Sequence, residues 1–127
     1  MLNTIHHIAI IASDYQQSKA FYVDILGLTP IREIYRKERQ SYKLDLALQE
    51  HYIIELFSFP NPPKRLTRPE GTGLRHLAFE VDDLSAVLAT LKTKGVNAEP
   101  IRIDEFTGKQ FSFIFDPDDL PIELYER

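Results

Sequence analysis

Cysteine is absent from this 127-residue chain. That removes disulfides and thiolate ligands, and makes a reducing, cytoplasmic setting the default expectation. No apolar run approaches the roughly 18 residues that a membrane-spanning helix requires, so no membrane partner is expected. The opening residues 1–5 enter a strand-like segment directly, without the basic-then-apolar pattern of a secretion signal. Positive charge is not in excess either. The net charge of -4 argues against a nucleic-acid surface as the main function. With thiolates missing, any metal site must be built from the 4 histidines and 19 acids.

What is present suits a globular protein with a proper core, at 43% hydrophobic residues. The length corresponds to one domain, or to two small halves. Residues 5–12, IHHIAIIA, are short, branched and apolar on both faces, which predicts a strand buried on both sides. Asp14 and Gln17 then form a capping-box pattern, and a helix is predicted to about Leu26 with Gly27 as its stop. Extended segments follow at 31–35, 42–48 and 52–59, with residues 49–51 as a hairpin loop. The stretch PNPPKRLTRPEGTG at 60–73 breaks the pattern and reads as a linker.

After the linker the same programme restarts. LRHLAFEV at 74–81 is a strand, Asp82 and Asp83 supply a helix cap, and Leu84, Val87, Leu88 and Leu91 mark one helix face. Gly95 stops that helix. Strands are predicted around 99–103, 110–115 and 122–125, the last two joined by the turn Asp116-Pro-Asp-Asp119. Each half therefore reads strand, helix, strand, strand, strand. His7 precedes Gly27 by 20 positions and His76 precedes Gly95 by 19. His7 precedes Glu55 by 48 positions and His76 precedes Glu123 by 47. The chain is an α+β protein of two tandem β-α-β-β-β modules: module one at 1–59, the linker at 60–73 and module two at 74–127.

Glu55 interrupts the apolar run IIELF, and Glu123 interrupts IELY in the matching place. An unpaired carboxylate in such a setting is costly, and pairing, neutralisation or a metal is the usual remedy. Taken singly, each candidate has an ordinary explanation: a strand histidine bonded to a carbonyl, an edge-strand glutamate in a salt bridge, an exposed C-terminal glutamate. Placement of all four at equivalent positions of a repeat outweighs those explanations. His7, Glu55, His76 and Glu123 are read as the ligands of one divalent metal, with Ni, Zn, Co, Mn or Fe suited to nitrogen and oxygen donors. His6 and His51 lack partners of the same type in the repeat and read as structural or surface residues. Two basic clusters, Lys64-Arg65-Arg68 and Arg36-Lys37-Arg39, are either solvated loop or contacts for an anionic substrate.

The double module, the HIAI start at His7, the RHLAF restart at Arg75 and the DPDDLPIEL ending at 116–124 resemble the vicinal oxygen chelate superfamily. That superfamily includes glyoxalase I, ring-cleaving dioxygenases, methylmalonyl-CoA epimerase and the fosfomycin and bleomycin resistance proteins. Within it, SFPNPP at 58–63 and the contexts of Glu55 and Glu123 resemble small bacterial glyoxalase-like proteins of the YaeR type. The resemblance implies a U-shaped mixed sheet around a metal, with the helices outside. It also implies Lewis-acid stabilisation of an enolate formed from a small-molecule substrate. Glyoxalase I uses the order His, Glu, His, Glu, which is the order found here. Dioxygenases and fosfomycin-modifying enzymes use two histidines and one glutamate, the epimerase has glutamine at the place of Glu55, and bleomycin-binding members lack the ligands. Asp119 stands where the family's turn has glycine, and aspartate tolerates the left-handed conformation.

The implied activity is that of a glyoxalase I-like lyase or isomerase acting on a 2-oxo compound or hemithioacetal, with Glu123 as base and Glu55 as the second carboxylate able to serve. An acyl-CoA epimerase and a non-catalytic, metal-dependent binding protein are the alternatives. Short half-sheets with open edges, and the habit of proteins that resemble this one, point to a homodimer.

Overall fold

The computed structural model describes residues 1–127. The chain divides into two compact units, Met1–Lys64 and Arg65–Arg127, each with its own four-stranded sheet. No helix is long and apolar enough to cross a membrane.

In the first unit, β1 (Ile8–Ala12) leads into α1 (Tyr15–Ala20), followed by β2 (Thr29–Arg36), β3 (Ser41–Leu48) and β4 (His51–Ser58). The helix starts where the sequence places it, because Asp14 Oδ1 accepts the Gln17 N–H at 3.1 Å and satisfies one of its open donors. Beyond Ala20 it widens into a π-helical turn over Phe21–Ile25, in which Leu26 N bonds to Phe21 O at 2.9 Å. Gly27, at φ +80°, then takes the left-handed conformation that reverses the chain. Sheet order is β1-β4-β3-β2, with β1 and β4 parallel and the other pairs antiparallel.

Tyr22, Leu44, Leu46, Ile54 and Leu56 are all at 0% exposure and form the core of this unit. Burial of each such side chain contributes about 1.5–3 kcal/mol. A clip fastens the helix to the sheet edge: Tyr15 stacks on Tyr42 at 4.3 Å and donates its hydroxyl to Glu33, while Lys19 reaches Glu33 at 2.8 Å. Lys19 first, and Tyr15 second, hold the Glu33 carboxyl below the usual carboxylate range. The expectation that β1 is buried on both sides does not hold. Ile10 and Ala12 are buried, but Ala9 and Ile11 on the alternate face are exposed. Within the unit the helix covers one face of the sheet, and the other face carries the polar residues described below.

In the second unit, β5 (Leu77–Val81) leads to α2 (Leu84–Thr93), then β6 (Arg102–Ile103), β7 (Gln110–Phe115) and β8 (Pro121–Glu126). Asp83 Oδ1 accepts the Ala86 N–H at 3.0 Å, and the Glu126 carboxylate accepts the Leu84 N–H at 2.8 Å. Sheet order is β5-β8-β7-β6, again with the outer helix-connected pair parallel. Leu84, Ile114 and Ile122 are fully buried, with Leu91 and Leu124 nearly so. The strand expected from Glu99 is shorter than the sequence suggests. Glu99 N bonds to Phe113 O at 2.9 Å, and regular pairing with β7 resumes only at Arg102, beyond Pro100. In the turn before β8, Asp116 Oδ1 accepts the N–H groups of Asp118 and Leu120, each at 2.9 Å, and Asp119 sits at φ +69°.

Residues 65–73 are tied to the second unit by their own side chains. Arg65 Nη2 donates to the carbonyls of Leu74 at 2.7 Å and Arg75 at 3.0 Å. Arg68 pairs with Asp119 and lies over the Phe115 ring at 4.6 Å. Arg65 and Arg68 thus hold this loop to the second unit, a role that neither reading of the basic cluster included.

Candidate metal and acid–base site

Strand register repeats across the duplication, residue by residue. Ala9 lies beside Glu55 between β1 and β4, and Ala78 lies beside Glu123 between β5 and β8. On the other side Glu55 faces Asp45 of β3, and Glu123 faces Phe113 of β7. Each histidine stands one residue before its strand, rather than inside it as the sequence suggests, since β1 begins at Ile8 and β5 at Leu77. Parallel pairing nevertheless brings each histidine to the glutamate of its own unit.

His7 Nε2 is 3.6 Å from Glu55 Oε1, and His76 Nε2 is 2.9 Å from Glu123 Oε2. All four side chains are partly shielded, the histidines at 34% and 27% exposure and the glutamates at 16% and 15%. Neighbouring ligands on one ion, each bonded at about 2.1 Å, stand roughly 3 Å apart. Each pair therefore has the spacing of two adjacent ligands. Two such pairs, rather than a group of three or more metal-binding side chains, are what the chain presents.

Around Glu55 the first unit builds a polar network. Lys43 Nζ lies 2.7 Å from Asp45 Oδ1 and 3.1 Å from Glu55 Oε2. The Tyr52 hydroxyl is 3.0 Å from Asp45 Oδ1 and 3.2 Å from Glu55 Oε2, so its one proton serves one carboxylate at a time. Arg32 Nε reaches Asp45 Oδ2 at 3.3 Å. Asp45 itself is only 2% exposed. Burial pushes its carboxyl up, but Lys43, Tyr52 and Arg32 together bring it below its ordinary value. The same grouping raises the Lys43 ammonium, through Asp45 first, and raises the Tyr52 phenol, through burial and then Asp45.

His7 stacks on the Tyr52 ring at 5.2 Å, and His6 Nδ1 is 2.8 Å from His7 Nδ1. His6 is thus a neighbour of the pair, while His51 stays exposed at the start of β4. Sequence reasoning passed over Asp45, Lys43 and Tyr52. The signal was there: in YKLDLAL a carboxylate interrupts an apolar alternation just as Glu55 does, with a lysine on the same face two residues earlier.

The second unit surrounds Glu123 differently. Where the first sheet has Lys43 and Asp45, the second has Phe111 and Phe113, with the Arg102 guanidinium over both rings at 5.0 and 5.5 Å. Phe113 meets His76 edge-on at 5.2 Å. The Glu123 carboxylate has His76 as its polar partner and no ammonium or hydroxyl beside it.

Known proteins are similar to this chain in sequence and in fold. The profile of the Glyoxalase/Bleomycin resistance protein/Dioxygenase superfamily matches residues 4–124. The Bacillus subtilis (strain 168) protein YwkD is 62% identical over 127 residues, covering 100% of this chain and 99% of its own. The Escherichia coli (strain K12) protein YaeR is 60% identical over 126 residues, covering 99% of this chain and 98% of its own. A solved structure, the glyoxalase family protein from Enterococcus faecalis, superposes with a TM-score of 0.90 at 49% identity over 97% of each chain.

Proposed function

The chain belongs to the glyoxalase/bleomycin resistance/dioxygenase superfamily, and from that premise we propose that it is a metal-dependent isomerase of the glyoxalase I kind. Its substrate is a hemithioacetal or another small 2-oxo compound, and the reaction moves a proton between neighbouring carbons. One observation carries this reading. Two His–Glu pairs occupy the same register in two copies of one module, each at ligand spacing. In this reading His7, Glu55, His76 and Glu123 hold one Ni, Zn, Co, Mn or Fe ion when the two pairs meet, within one chain or across a homodimer. The bound ion supplies Lewis-acid stabilisation of the charge that develops on the carbonyl oxygen.

The differences between the two glutamates support separate roles for them. Glu55 has Oε2 engaged by Lys43 and Tyr52, so Oε1, the atom nearer His7, would be the one to hold a metal. A carboxylate held from behind in this way makes a fixed ligand. Glu123 lacks such a clamp and lies among aromatic rings, so it is the carboxylate left available to exchange a proton. It takes the proton from the carbon beside the carbonyl and returns the same proton to the neighbouring carbon. A proton on His7 Nδ1, directed at His6, leaves the Nε2 lone pair available as a ligand.

Metal-stripped protein, reconstituted in turn with each of the five ions, tests the reading. Turnover of the hemithioacetal of methylglyoxal and glutathione is expected, with methylmalonyl-CoA as the competing substrate. Glu123→Gln should abolish turnover while an ion is still retained, and Glu55→Gln should weaken ion binding. Absence of turnover with every ion, or full activity in Glu123→Gln, overturns it.

A further inference from the structure

We propose that Arg36, with Lys37 and Arg39 beside it, forms a subsite for the anionic group, carboxylate or phosphate, of a ligand lying on the Glu55 face of the first sheet. Arg36 ends β2 opposite Ser41, in the same register that sets Ile34 against Lys43 and Arg32 against Asp45. Alternation therefore puts Arg32, Ile34 and Arg36 on the face that carries Glu55 and Phe57. The Arg36 guanidinium is not a loose surface charge. It lies over the Phe57 ring at 5.0 Å and the Phe59 ring at 5.8 Å, and its Nη2 donates to Ser41 Oγ at 2.9 Å. Stacking and a fixed fork are what prepare an arginine to receive a planar or tetrahedral anion.

What Arg36 lacks is a counter-ion. Arg32, Arg75, Arg102 and Arg127 each have a carboxylate within salt-bridge distance, and Arg36 has none. Its Nε–H is buried and meets no acceptor, an uncompensated desolvation on a charged group. Lys37 and Arg39 follow in the adjoining turn, also without ion pairs. Together these residues and Glu38 line an open pocket of about 420 Å³. Three cations thus face one acid, Glu38, in a space sufficient for a small charged group.

Position then constrains the ligand. Phe57 on β4 and Phe59, one residue past its end, stand two and four residues beyond Glu55, so a group over those rings is about 7–14 Å from Glu55 along the strand direction, at about 3.4 Å per residue. A molecule that reaches both places is elongated, with its reacting carbons at one end and a negative charge at the other. Identification of that molecule as the substrate rests on the function proposed above. Anion binding at Arg36 does not, and is measured without metal or turnover.

The test is a titration of ¹⁵N-labelled, metal-free protein at constant ionic strength, first with glutarate and then with inorganic phosphate. Saturable shifts of the Arg36 Nε–Hε and Ser41 amide signals are expected. A response to glutarate assigns a carboxylate ligand, and a stronger response to phosphate assigns a phosphoryl group. Arg36→Gln should weaken binding at least tenfold. Glu38→Gln, which leaves Arg36 intact, should tighten it several-fold by removing the opposing charge. The proposal fails if neither probe shifts these signals at tens of millimolar. It fails equally if the shifts persist in Arg36→Gln, or if Glu38→Gln leaves the affinity unchanged. Loss of hemithioacetal activity with intact anion binding would refute the enzymatic reading and leave this site standing.

Discussion

Lys43→Met is the perturbation that most directly probes the polar network in the first sheet. Methionine keeps most of the stem volume and removes the ammonium that lies 2.7 Å from Asp45 and 3.1 Å from Glu55. Asp45 is 2% exposed, so the change strands a buried carboxylate. Removing one partner of a buried ion pair costs about 3–5 kcal/mol. Two features lower that figure. Asp45 keeps the Tyr52 hydroxyl at 3.0 Å and Arg32 at 3.3 Å, and Lys43 is 24% exposed, which screens part of its attraction. The expected loss is about 2–3 kcal/mol. Urea unfolding followed by circular dichroism is the assay. With a slope of about 1–3 kcal/mol per molar, the midpoint should fall by about 1–2 M. Adding Asp45→Asn to the same chain removes the stranded charge and should restore stability to within about 1 kcal/mol of the original. A midpoint shift below about 0.3 M in Lys43→Met, or a double variant whose loss equals the sum of the singles, refutes the reasoning.

Other consequences follow from local geometry. The folded state holds Glu33 below the ordinary carboxylate range, through Lys19 and then Tyr15, so its contribution is present above pH about 4.3 and is lost as pH falls through the folded value. The stability difference between the natural chain and Glu33→Gln should thus be constant near neutrality and shrink as pH falls below about 4.3; thermal melts from neutrality down through the acid range decide it, and a difference that does not diminish rules it out. Asp119 sits at φ +69° and its ion pair with Arg68 is exposed, so Asp119→Ala should cost about 1–2 kcal/mol through left-handed strain. Asp119→Gly should cost less than half as much, since glycine takes that conformation freely and an exposed pair contributes about 0–1 kcal/mol. Equal losses in the two variants, read by urea unfolding, would mean that the side-chain contacts and not the backbone decide.

Much of the fold was legible because its signals are local. Asp14 and Asp83 cap the helices they were expected to cap, Gly27 and Gly95 end the chain's two helical segments at positive φ, and Asp119 fills a left-handed turn position. Duplication was visible in spacing alone, and the strand registers that set Ala9 beside Glu55 and Ala78 beside Glu123 repeat it in three dimensions. The misreadings have physical causes. Apolar residues at both Ile10 and Ile11 suggested a strand covered on both sides, yet periodicity cannot tell covered apolar surface from the open face that holds Ile11 at 52% exposure. Residues flanking Pro100 look extended, yet the strand begins only at Arg102. Lys43 and Asp45 already share a face of β3, but Tyr52 and Glu55 join them only through the pairing of β3 with β4, an event of register that no single segment announces. Arg68 likewise found its carboxylate partner, Asp119, 51 residues away in the sequence.

The central claim is that one His–Glu pair from each module serves a single ion. Calorimetric titration of metal-free protein with Ni or Co, on the natural chain and on His7→Ala and His76→Ala, addresses it directly. One ion per pair of pairs is expected, with affinity reduced by at least about 100-fold in each variant, since even residues behind the ligands change affinity by about 10–100-fold. An ion whose affinity survives loss of either histidine, or a natural chain that takes up no ion, would contradict the account.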